Sequence, residues 1–426
     1  MILRLLGGLA VTVMTLYCSP RGRSGKGRGA EGSGLYPELA AYRISEGNSP
    51  NVQAEVGRLV GQMTIEAARA ELGRRGLTLD EKAVRRIANE LGTQMLATRT
   101  RDLMRFRDGK LPAGTEMADK RVAVQMDGGR VRVRTIVKGS RVGGKRKRRK
   151  VRIEWREPKV VIVYELDAQG RMKRGSRPVI DGTLRGPAAL IELVAFHLHR
   201  LGAQQAREVV FVADGAPWIW TRLDWVVAQV GIDRVRVVEV LDWCHGVHHV
   251  SVALEALGFD KATRGQHYQR LRTLLKQGKS KAVIKELEGM AEGNAADSVV
   301  WREIRSLKKH GAARRLMYDV YRSWRLPMGS GAIESTIRRV INLRLKGSSM
   351  FWTEENAEAV FQLRAAVLSG RWDEIVARTQ EAMARDRGKS WRWTPPDCLA
   401  ELKALAAETD EITQASAAKR AKRPAA

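Results

Sequence analysis

Three carboxylates stand where metal-dependent chemistry could use them. Asp127 and Asp214 each follow an apolar, strand-like run and precede a glycine, and Glu334 lies in Gly329–Ser335, a glycine-broken loop that enters a helix. Open α/β sheets bind ligands at strand ends, and a helix start favours an ionised glutamate. Hard divalent cations take oxygen ligands from a few carboxylates and from substrate phosphates. The three acids therefore predict a magnesium site, at which Mn²⁺ is the expected substitute.

The chemistry that such a site indicates is phosphoryl transfer. Two ions about 4 Å apart stabilise the attacking and the leaving oxygen of an in-line displacement. Taken singly, Asp127 and Asp214 are more often turn aspartates, and the loop before Glu334 is more often an ordinary helix start. The hypothesis depends on the three occurring together.

The segment Asp242–His249 adds further polar side chains after the last strand-like run. Asp242 and His245 are spaced i, i+3 and could form an orienting pair beside the site. Cys244 and His248, or His245 and His249, would share a helix face, but two zinc ligands without a further set are a weak signal. Structural or DNA-facing roles are preferred for these residues.

The charge of the chain predicts a polyanionic partner. Its 426 residues carry 76 Lys and Arg against 47 Asp and Glu, a net charge of +29, which is typical of nucleic-acid-binding proteins. The length disfavours a ribosomal protein, and the lack of a long basic amphipathic helix disfavours a membrane-surface protein. Double-stranded DNA is the expected partner. The candidate phosphate-contacting residues are Lys82, Arg85, Arg86, Lys145, Arg146, Lys147, Arg148, Arg149, Lys150, Arg338, Arg344 and Lys346.

The location of the protein follows from its cysteines and its apolar runs. Cys18, Cys244 and Cys398 lie far apart, which predicts neither a disulfide framework nor a thiolate zinc site and fits a reducing cytoplasm. The apolar run Leu5–Leu16 resembles a signal peptide, but its threonine-rich second half favours a strand. No other stretch reaches the roughly 20 apolar residues of a membrane span.

The elements that must position the acids form an α/β fold with added helices. Helices are predicted at about Val52–Gln62, Thr64–Arg75 and Thr78–Leu91, with Thr64 and Thr78 as N-caps. They fit a helix-turn-helix, or equally a small bundle with a solvated basic face. Leu103–Lys120 is the predicted domain boundary.

A mixed sheet is predicted beyond that boundary. Arg121–Met126 would turn at Asp127-Gly128-Gly129 into a return strand at 130–137. Further strands are predicted at 151–155, 160–166, 208–213 and 234–241, with helices at 187–201 and 217–230. Helices at 250–257, 268–277, 281–290 and 299–310 would form an insertion before the Glu334 loop, and the chain from Trp352 to about Asp386 reads as helical.

At this point the sequence resembles the DDE transposases of bacterial insertion sequences, in the Mutator-like superfamily and most closely the ISKra group. The resemblance rests on Asp127, Asp214, the Asp242-x-x-His245 pair, the helical insertion, and Gly329-Ser-Gly-x-x-Glu334-Ser335 followed by Arg344-Leu-Lys-Gly347 and Trp352, and covers roughly Pro50–Trp372. It implies an RNase H-like core that breaks and rejoins DNA, with Asp127, Asp214 and Glu334 as the catalytic ligands of two magnesium ions.

The resemblance also implies an organisation and partners. Residues 1–49 would be a degenerate strand and basic loop, 50–102 a helix-turn-helix-like DNA-binding region, 115–250 and 326–372 the two parts of the RNase H-like core, 251–325 the helical insertion, and 373–426 C-terminal helices with a basic tail. The expected partners are element terminal repeats and target DNA, bound by a homo-oligomer in the nucleoid of the cytoplasm.

One departure from the family leaves alternatives open. Related proteins often carry a paired-cysteine knuckle after the first strand, whereas Cys18 stands alone before an arginine-rich run. A domesticated or decayed DNA-binding protein without activity, or an RNase H-like nuclease or resolvase, would share many of the same residues. Inverted repeats flanking the coding region would distinguish a mobile element from a host protein.

Overall fold

A five-stranded mixed sheet forms the centre of the protein. The structure is a computed structural model and describes residues 2–15, 39, 42–44, 47–137, 151–347 and 350–389. The described strands are β1 (Ile2–Arg4), β2 (Ala10–Thr12), β3 (Arg121–Gly128), β4 (Val131–Ile136), β5 (Val151–Arg156), β6 (Lys159–Glu165), β7 (Val179–Thr183), β8 (Glu208–Ala213) and β9 (Val237–Leu241). The central sheet has the order β7-β6-β3-β8-β9, and its β3, β8 and β9 are parallel while β6 and β7 run as antiparallel neighbours.

Helices cover both faces of this sheet. They are α1 (Pro50–Gln62), α2 (Ile65–Arg74), α3 (Glu81–Arg107), α4 (Pro187–Leu201), α5 (Pro217–Trp220), α6 (Leu223–Val230), α7 (Trp243–Ala256), α8 (Lys261–Lys276), α9 (Ser280–Met290), α10 (Val299–Ala312), α11 (Tyr318–Ser323), α12 (Gly331–Ile337), α13 (Glu354–Leu368) and α14 (Trp372–Lys389). A π-helical segment at Arg338–Asn342 continues α12. The predicted mixed α/β class is therefore confirmed.

The central strand β3 is buried on both sides. Val122, Val124 and Met126 pack in a cluster with α4 and α6, whereas Ala123 faces a second cluster that includes helices of the 251–325 insertion. A strand covered on both faces reads as a nearly continuous apolar run. This explains why β3, β6 and β8 could be predicted from the sequence.

Two predictions about the sheet were wrong, and one strand was missed. The segment at Asp127-Gly128-Gly129 is no hairpin turn, because β3 pairs with β6, while β4 pairs with β5 in a separate two-stranded sheet. Strand β7 was not predicted at all. The last strand begins at Val237, after a short 3₁₀ turn.

The N-terminal helices also differ from the prediction. Thr64 caps α2 as expected, but Asp80 rather than Thr78 caps the following helix by accepting from Ala83 N–H at 2.7 Å. That helix, α3, continues to Arg107 and crosses the predicted boundary. Its apolar side shares a core with Leu363 of α13 and Trp372 of α14, so residues 50–102 do not bury their core alone.

The insertion helices and the chain ends complete the description. All four predicted insertion helices are present, with α7 and α8 starting seven residues earlier than expected. The predicted N-terminal strand is a short β1–β2 hairpin. The basic run at 20–34, the loop at 138–150 and the chain after Lys389 lie outside the described residues. No described helix is long and apolar enough to cross a membrane.

Candidate functional site

Three neighbouring parallel strands each lead to an aspartate. Asp127 lies near the end of β3, Asp214 follows β8, and Asp242 follows β9. Because the carboxyl ends of parallel neighbours meet at one edge of a sheet, the strand order brings these residues to a common edge. We call this the Asp127 edge.

Asp127 and Asp214 interact electrostatically at that edge. Burial raises the pKa of the Asp127 carboxyl, and the nearby Asp214 raises it further, against the opposing effects of the Gly128 N–H, His245 and Lys159. The Gly128 N–H donates to Asp127 Oδ1 at 2.6 Å, and the Ala216 N–H donates to Asp214 Oδ1 at 3.0 Å. Two like charges in a half-buried site favour a proton or a cation between them.

Lys159 supplies positive charge beside Asp127 and was not predicted from the sequence. It is the first residue of β6, where it lies opposite Gly128, and it is only 7% exposed. Its Nζ contacts Glu157 Oε1 at 2.7 Å and lies 4.9 Å from the centre of the Trp218 ring. A single lysine at the start of an apolar strand gives no recognisable signal.

Asp242 and His245 form the predicted pair. The imidazole Nδ1 and Asp242 Oδ2 are 2.8 Å apart, and the same oxygen accepts from the His245 backbone N–H as the N-cap of α7. The hydrogen bond to Asp242 raises the pKa of His245, with additional contributions from Asp214 and Asp127. The imidazole ring is therefore charged more readily than usual, next to the two carboxylates.

Glu334 is attached to this edge through its own loop. Ser330 donates its backbone N–H to Asp242 Oδ1 at 2.7 Å and its hydroxyl to Glu334 Oε1 at 2.6 Å. Although burial opposes the shift, the hydrogen bonds from His245 and Ser330 lower the pKa of Asp242. The Glu334 side chain is exposed, at the first turn of α12.

Gln125 provides a second connection that the sequence did not reveal. This buried residue of β3 donates to the Gly329 carbonyl at 3.1 Å and accepts from the Ile333 N–H at 3.0 Å. Both ends of the amide are thus used to hold the loop that carries Glu334. Asp127, two residues later on the same strand, and Glu334 are positioned by one hydrogen-bonded unit.

The donor set fits a hard divalent cation, although the three acids do not form a closed site. Asp127, Asp214 and Glu334 offer oxygen ligands, as Mg²⁺ requires. Within the described ranges, however, no group of three or more His, Cys, Asp or Glu side chains is arranged so that it could hold a metal ion. Asp127 and Asp214 are near enough to interact electrostatically, and Glu334 is hydrogen-bonded to Ser330.

The candidate phosphate-contacting residues separate into three groups. Lys82, Arg85 and Arg86 are exposed along α3, and Arg338 and Lys346 are exposed after α12. The six cations at 145–150 lie outside the described residues. Arg344 is different, since it is 3% exposed, donates Nε to the Val60 carbonyl at 2.8 Å and lies against the Trp352 ring. Arg344 is therefore a structural residue, because its buried guanidinium binds groups of the protein itself and is not available to a phosphate.

The remaining histidines of α7 do not combine into a zinc site. His249 Nδ1 lies 2.6 Å from Glu303 of α10, and His249 Nε2 lies 3.1 Å from the Ser306 hydroxyl. His245 is engaged with Asp242, and Cys244 is a free, exposed thiol. His245 and His249 are thus each held by a carboxylate of the protein.

Comparisons with known proteins give little beyond this geometry. A solved structure of the Drosophila P element transposase strand transfer complex aligns over 79% of this chain and 85% of that chain, with 13% sequence identity and a TM-score of 0.25. So low a score carries no argument. No protein-family model and no curated protein matches the sequence.

Proposed function

We propose that the protein is a metal-dependent DNA transposase of the bacterial insertion-sequence type, related to the ISKra group of the Mutator-like superfamily. The observation that carries the proposal is the position of Asp127 and Asp214 at the ends of adjacent parallel strands, together with the hydrogen bond that joins the Glu334 loop to Asp242 at the end of the next strand. Breaking and rejoining DNA is the reaction that all three observations support: the set of acids, the basic charge of the chain and the sequence resemblance.

The topology supports an RNase H-like core. In the order β7-β6-β3-β8-β9, the first three strands are joined by antiparallel pairings and the last three by parallel ones. Helices α7 to α11 separate β9 from α12, as the resemblance implies for an insertion before the glutamate. Helices α1 to α3 would carry the DNA-binding function, with Lys82, Arg85 and Arg86 on the exposed side of α3.

The residues at the edge have separate roles in this proposal. Asp127, Asp214 and Glu334 would hold two Mg²⁺ ions, which stabilise the attacking and leaving oxygens when they are bound. Lys159 and His245 balance the negative charge before binding. Asp242 is a positioning residue, because it holds His245 and the Ser330 N–H at the same time.

The remaining charge suits a DNA substrate. A net charge of +29 favours association with double-stranded DNA, here the element ends and the target, by a homo-oligomer in a cytoplasmic nucleoid. Arg338 lies four residues beyond Glu334 and is exposed, so it is placed to contact a phosphate near the acid. Arg344 has no part in this surface.

The test is a strand-transfer reaction with DNA carrying the inverted repeats that flank the coding region. Asp127→Asn, Asp214→Asn and Glu334→Gln should each bind this DNA and fail to join it in Mg²⁺ or Mn²⁺. Asp224→Asn, at a side chain that is 87% exposed, is the matched control and should join it normally.

Each other outcome has its own meaning. Normal joining by all three variants contradicts the assignment of the acids. Cleavage without joining by the wild-type protein indicates a nuclease or resolvase. Binding without cleavage by the wild-type protein indicates a DNA-binding protein that has no activity.

A further inference from the structure

The two-stranded ribbon formed by β4 and β5 has an exposed face of unusual composition. Directly opposite residues in an antiparallel pair lie on the same face. The register therefore places Arg132 beside Trp155, Arg134 beside Ile153, and Ile136 beside Val151. We call these six residues the ribbon face.

The ribbon face combines exposed apolar side chains with cations. Trp155 is 54% exposed, and Ile153 and Ile136 are exposed to a similar degree. The guanidinium of Arg132 lies 5.7 Å from the Trp155 ring centre, and the Lys346 ammonium lies 5.6 Å from it on the chain after α12. The aromatic ring is thus accompanied by two positive charges.

Arg134 and Lys346 are exposed, whereas the Arg132 guanidinium is half-buried and donates Nη2 to the Gly347 carbonyl at 2.7 Å. Among the described residues, no carboxylate lies within ion-pair distance of Arg132, Arg134 or Lys346. The acidic residue of the ribbon, Glu154, lies opposite Val133 on the other face. The ribbon face consequently offers positive potential and an aromatic surface together, which suits an anion with a flat apolar part.

The ribbon is fixed in place, and it lies beside the Asp127 edge. Val131 and Val133 on its other face are buried in the core, and the backbone of Arg132 and Arg134 is hydrogen-bonded to Trp352 at 3.1 and 2.8 Å. Strand β4 begins three residues after β3 ends, and β5 leads to Lys159 at the start of β6. The ribbon therefore leaves and re-enters the sheet at Asp127 and Lys159.

These observations select a nucleic acid with unpaired bases over other occupants. Duplex DNA offers its phosphates to cations but keeps its bases stacked on one another, so it would leave Trp155 unused. Exposed aromatic rings in a positive groove bind single strands, because a base can stack on the ring while cations hold the backbone. A second copy of this chain would bring further positive charge to the same face.

We propose that the ribbon face holds an unpaired stretch of DNA beside the Asp127 edge, with one base stacked on Trp155. The inference rests on the proposed function and extends it, because it names locally opened DNA as the preferred substrate. The ribbon face would hold the separated strand next to the carboxylates of the Asp127 edge.

The experiment compares two labelled DNAs of the same sequence and length, one fully paired and one with a central unpaired stretch. Binding is measured by fluorescence anisotropy at one salt concentration in EDTA. The wild-type protein should prefer the opened DNA. Trp155→Ala should bind the opened DNA about tenfold more weakly, a loss in the range expected when one base-stacking ring is removed. Its affinity for the paired DNA should be unchanged.

Two further variants make the result specific. Trp155→Phe keeps an aromatic ring and should retain most of the preference. Trp225→Ala removes another tryptophan that is 45% exposed, on α6, and should behave as wild type. Circular dichroism checks that each variant is folded, and Trp155→Phe provides the comparison if Trp155→Ala is not.

Three results would overturn the inference. They are equal affinity of the wild-type protein for both DNAs, an equal loss on both DNAs in Trp155→Ala, and a wild-type dimer that Trp155→Ala dissociates in the absence of DNA. Since binding is measured without metal, a failure of strand transfer leaves this test unaffected. The inference and the proposed function can thus fail separately.

Discussion

The carboxylate of Asp242 and the backbone N–H of Ser330 are joined by a hydrogen bond of 2.7 Å across 88 residues of chain. Asp242 is 1% exposed and also binds the ring and the backbone of His245. A buried carboxylate with several donors is costly to remove, because the donors lose their partner. This residue therefore connects the end of β9 to the loop that carries Glu334.

Asp242→Ala should destabilise the protein by about 2 kcal/mol or more, since it leaves buried donors unpaired and removes the N-cap of α7. Urea unfolding followed by circular dichroism measures the change. Asp233→Ala, which removes an exposed cap from a short 3₁₀ turn, is the control with a smaller expected effect. Equal stability of Asp242→Ala and the wild type would contradict the role given to this carboxylate.

Magnesium should stabilise the wild-type protein and not Asp127→Asn. Burial and Asp214 raise the pKa of Asp127, so its ionised form is disfavoured in the folded protein and the stability falls as pH rises through that pKa. Asp127→Asn should therefore be more stable than wild type without metal at pH 8.

The gain from Mg²⁺ in that experiment follows RT ln(1 + [Mg²⁺]/Kd) and requires a site that the variant lacks. Thermal unfolding with and without Mg²⁺ measures both effects. Asp224→Asn should respond to Mg²⁺ as wild type does. A magnesium-induced shift of equal size in Asp127→Asn would rule out this carboxylate as a ligand.

Two arginines should show opposite phenotypes. Arg344→Ala should cost about 2–3 kcal/mol of stability, because it removes a buried charged hydrogen bond to the Val60 carbonyl and the contact with Trp352. Arg338→Ala, at an exposed position, should change stability by less than about 0.5 kcal/mol and weaken DNA binding. Urea unfolding and DNA anisotropy titrations on both variants measure the two effects. A large loss of stability in Arg338→Ala with no loss in Arg344→Ala would contradict the assignment.

His310 should make the protein sensitive to acid. It is 2% exposed, and burial, aided by the charge of Arg315, lowers its pKa to about 4. The unfolded chain binds a proton near pH 6.5, so the stability supplied by the neutral ring is fully present above that pH and is lost as pH falls toward 4.

The loss at His310 should approach about 3 kcal/mol at most, at 1.36 kcal/mol per pH unit. His310→Gln should flatten the fall of the urea midpoint between pH 6.5 and 4. His248→Gln, at an exposed position of α7, is the control. An unchanged pH profile in His310→Gln would exclude this residue as the source.

Helix α3 should depend on its observed cap. Asp80→Ala should cost about 1 kcal/mol, because the side chain accepts from the Ala83 N–H. Thr78→Ala should have a smaller effect, since the helix begins at Glu81. Thermal unfolding of the two variants distinguishes these positions, and the reverse order of effects would favour the helix start expected from the sequence.

The sequence predicted best those elements that are continuous apolar runs in the core. Strand β8 and helix α4 were predicted with the bounds that the structure has, because each is an apolar run with a clear start and end. Strand β7 was missed because Asp181-Gly182 within it reads as a turn. Its buried carboxylate is tolerated through Arg99, His197 and Gln362, which come from three different helices.

The residues of the candidate site likewise fall into those that could be predicted from local sequence patterns and those that could not. Asp127, Asp214 and Glu334 could be chosen by pattern, since strand ends and glycine-broken helix starts are local features. Gln125 and Lys159 could not, because each is a single polar residue in an apolar strand that meets the site residues only through pairing with distant parts of the chain. The long-range pairing of β3 with β6 decides which of these side chains meet.

One further hydrogen bond bears on how such chains can diversify. The Trp243 N–H donates to the Met328 carbonyl at 2.8 Å, next to the Asp242–Ser330 contact, so the segment between them leaves and rejoins the sheet at one point. The entropy of closing a loop grows only with the logarithm of its length. The length of this segment can therefore change at a small entropic cost while these two hydrogen bonds hold its ends, and with them the loop that carries Glu334, at a fixed spacing.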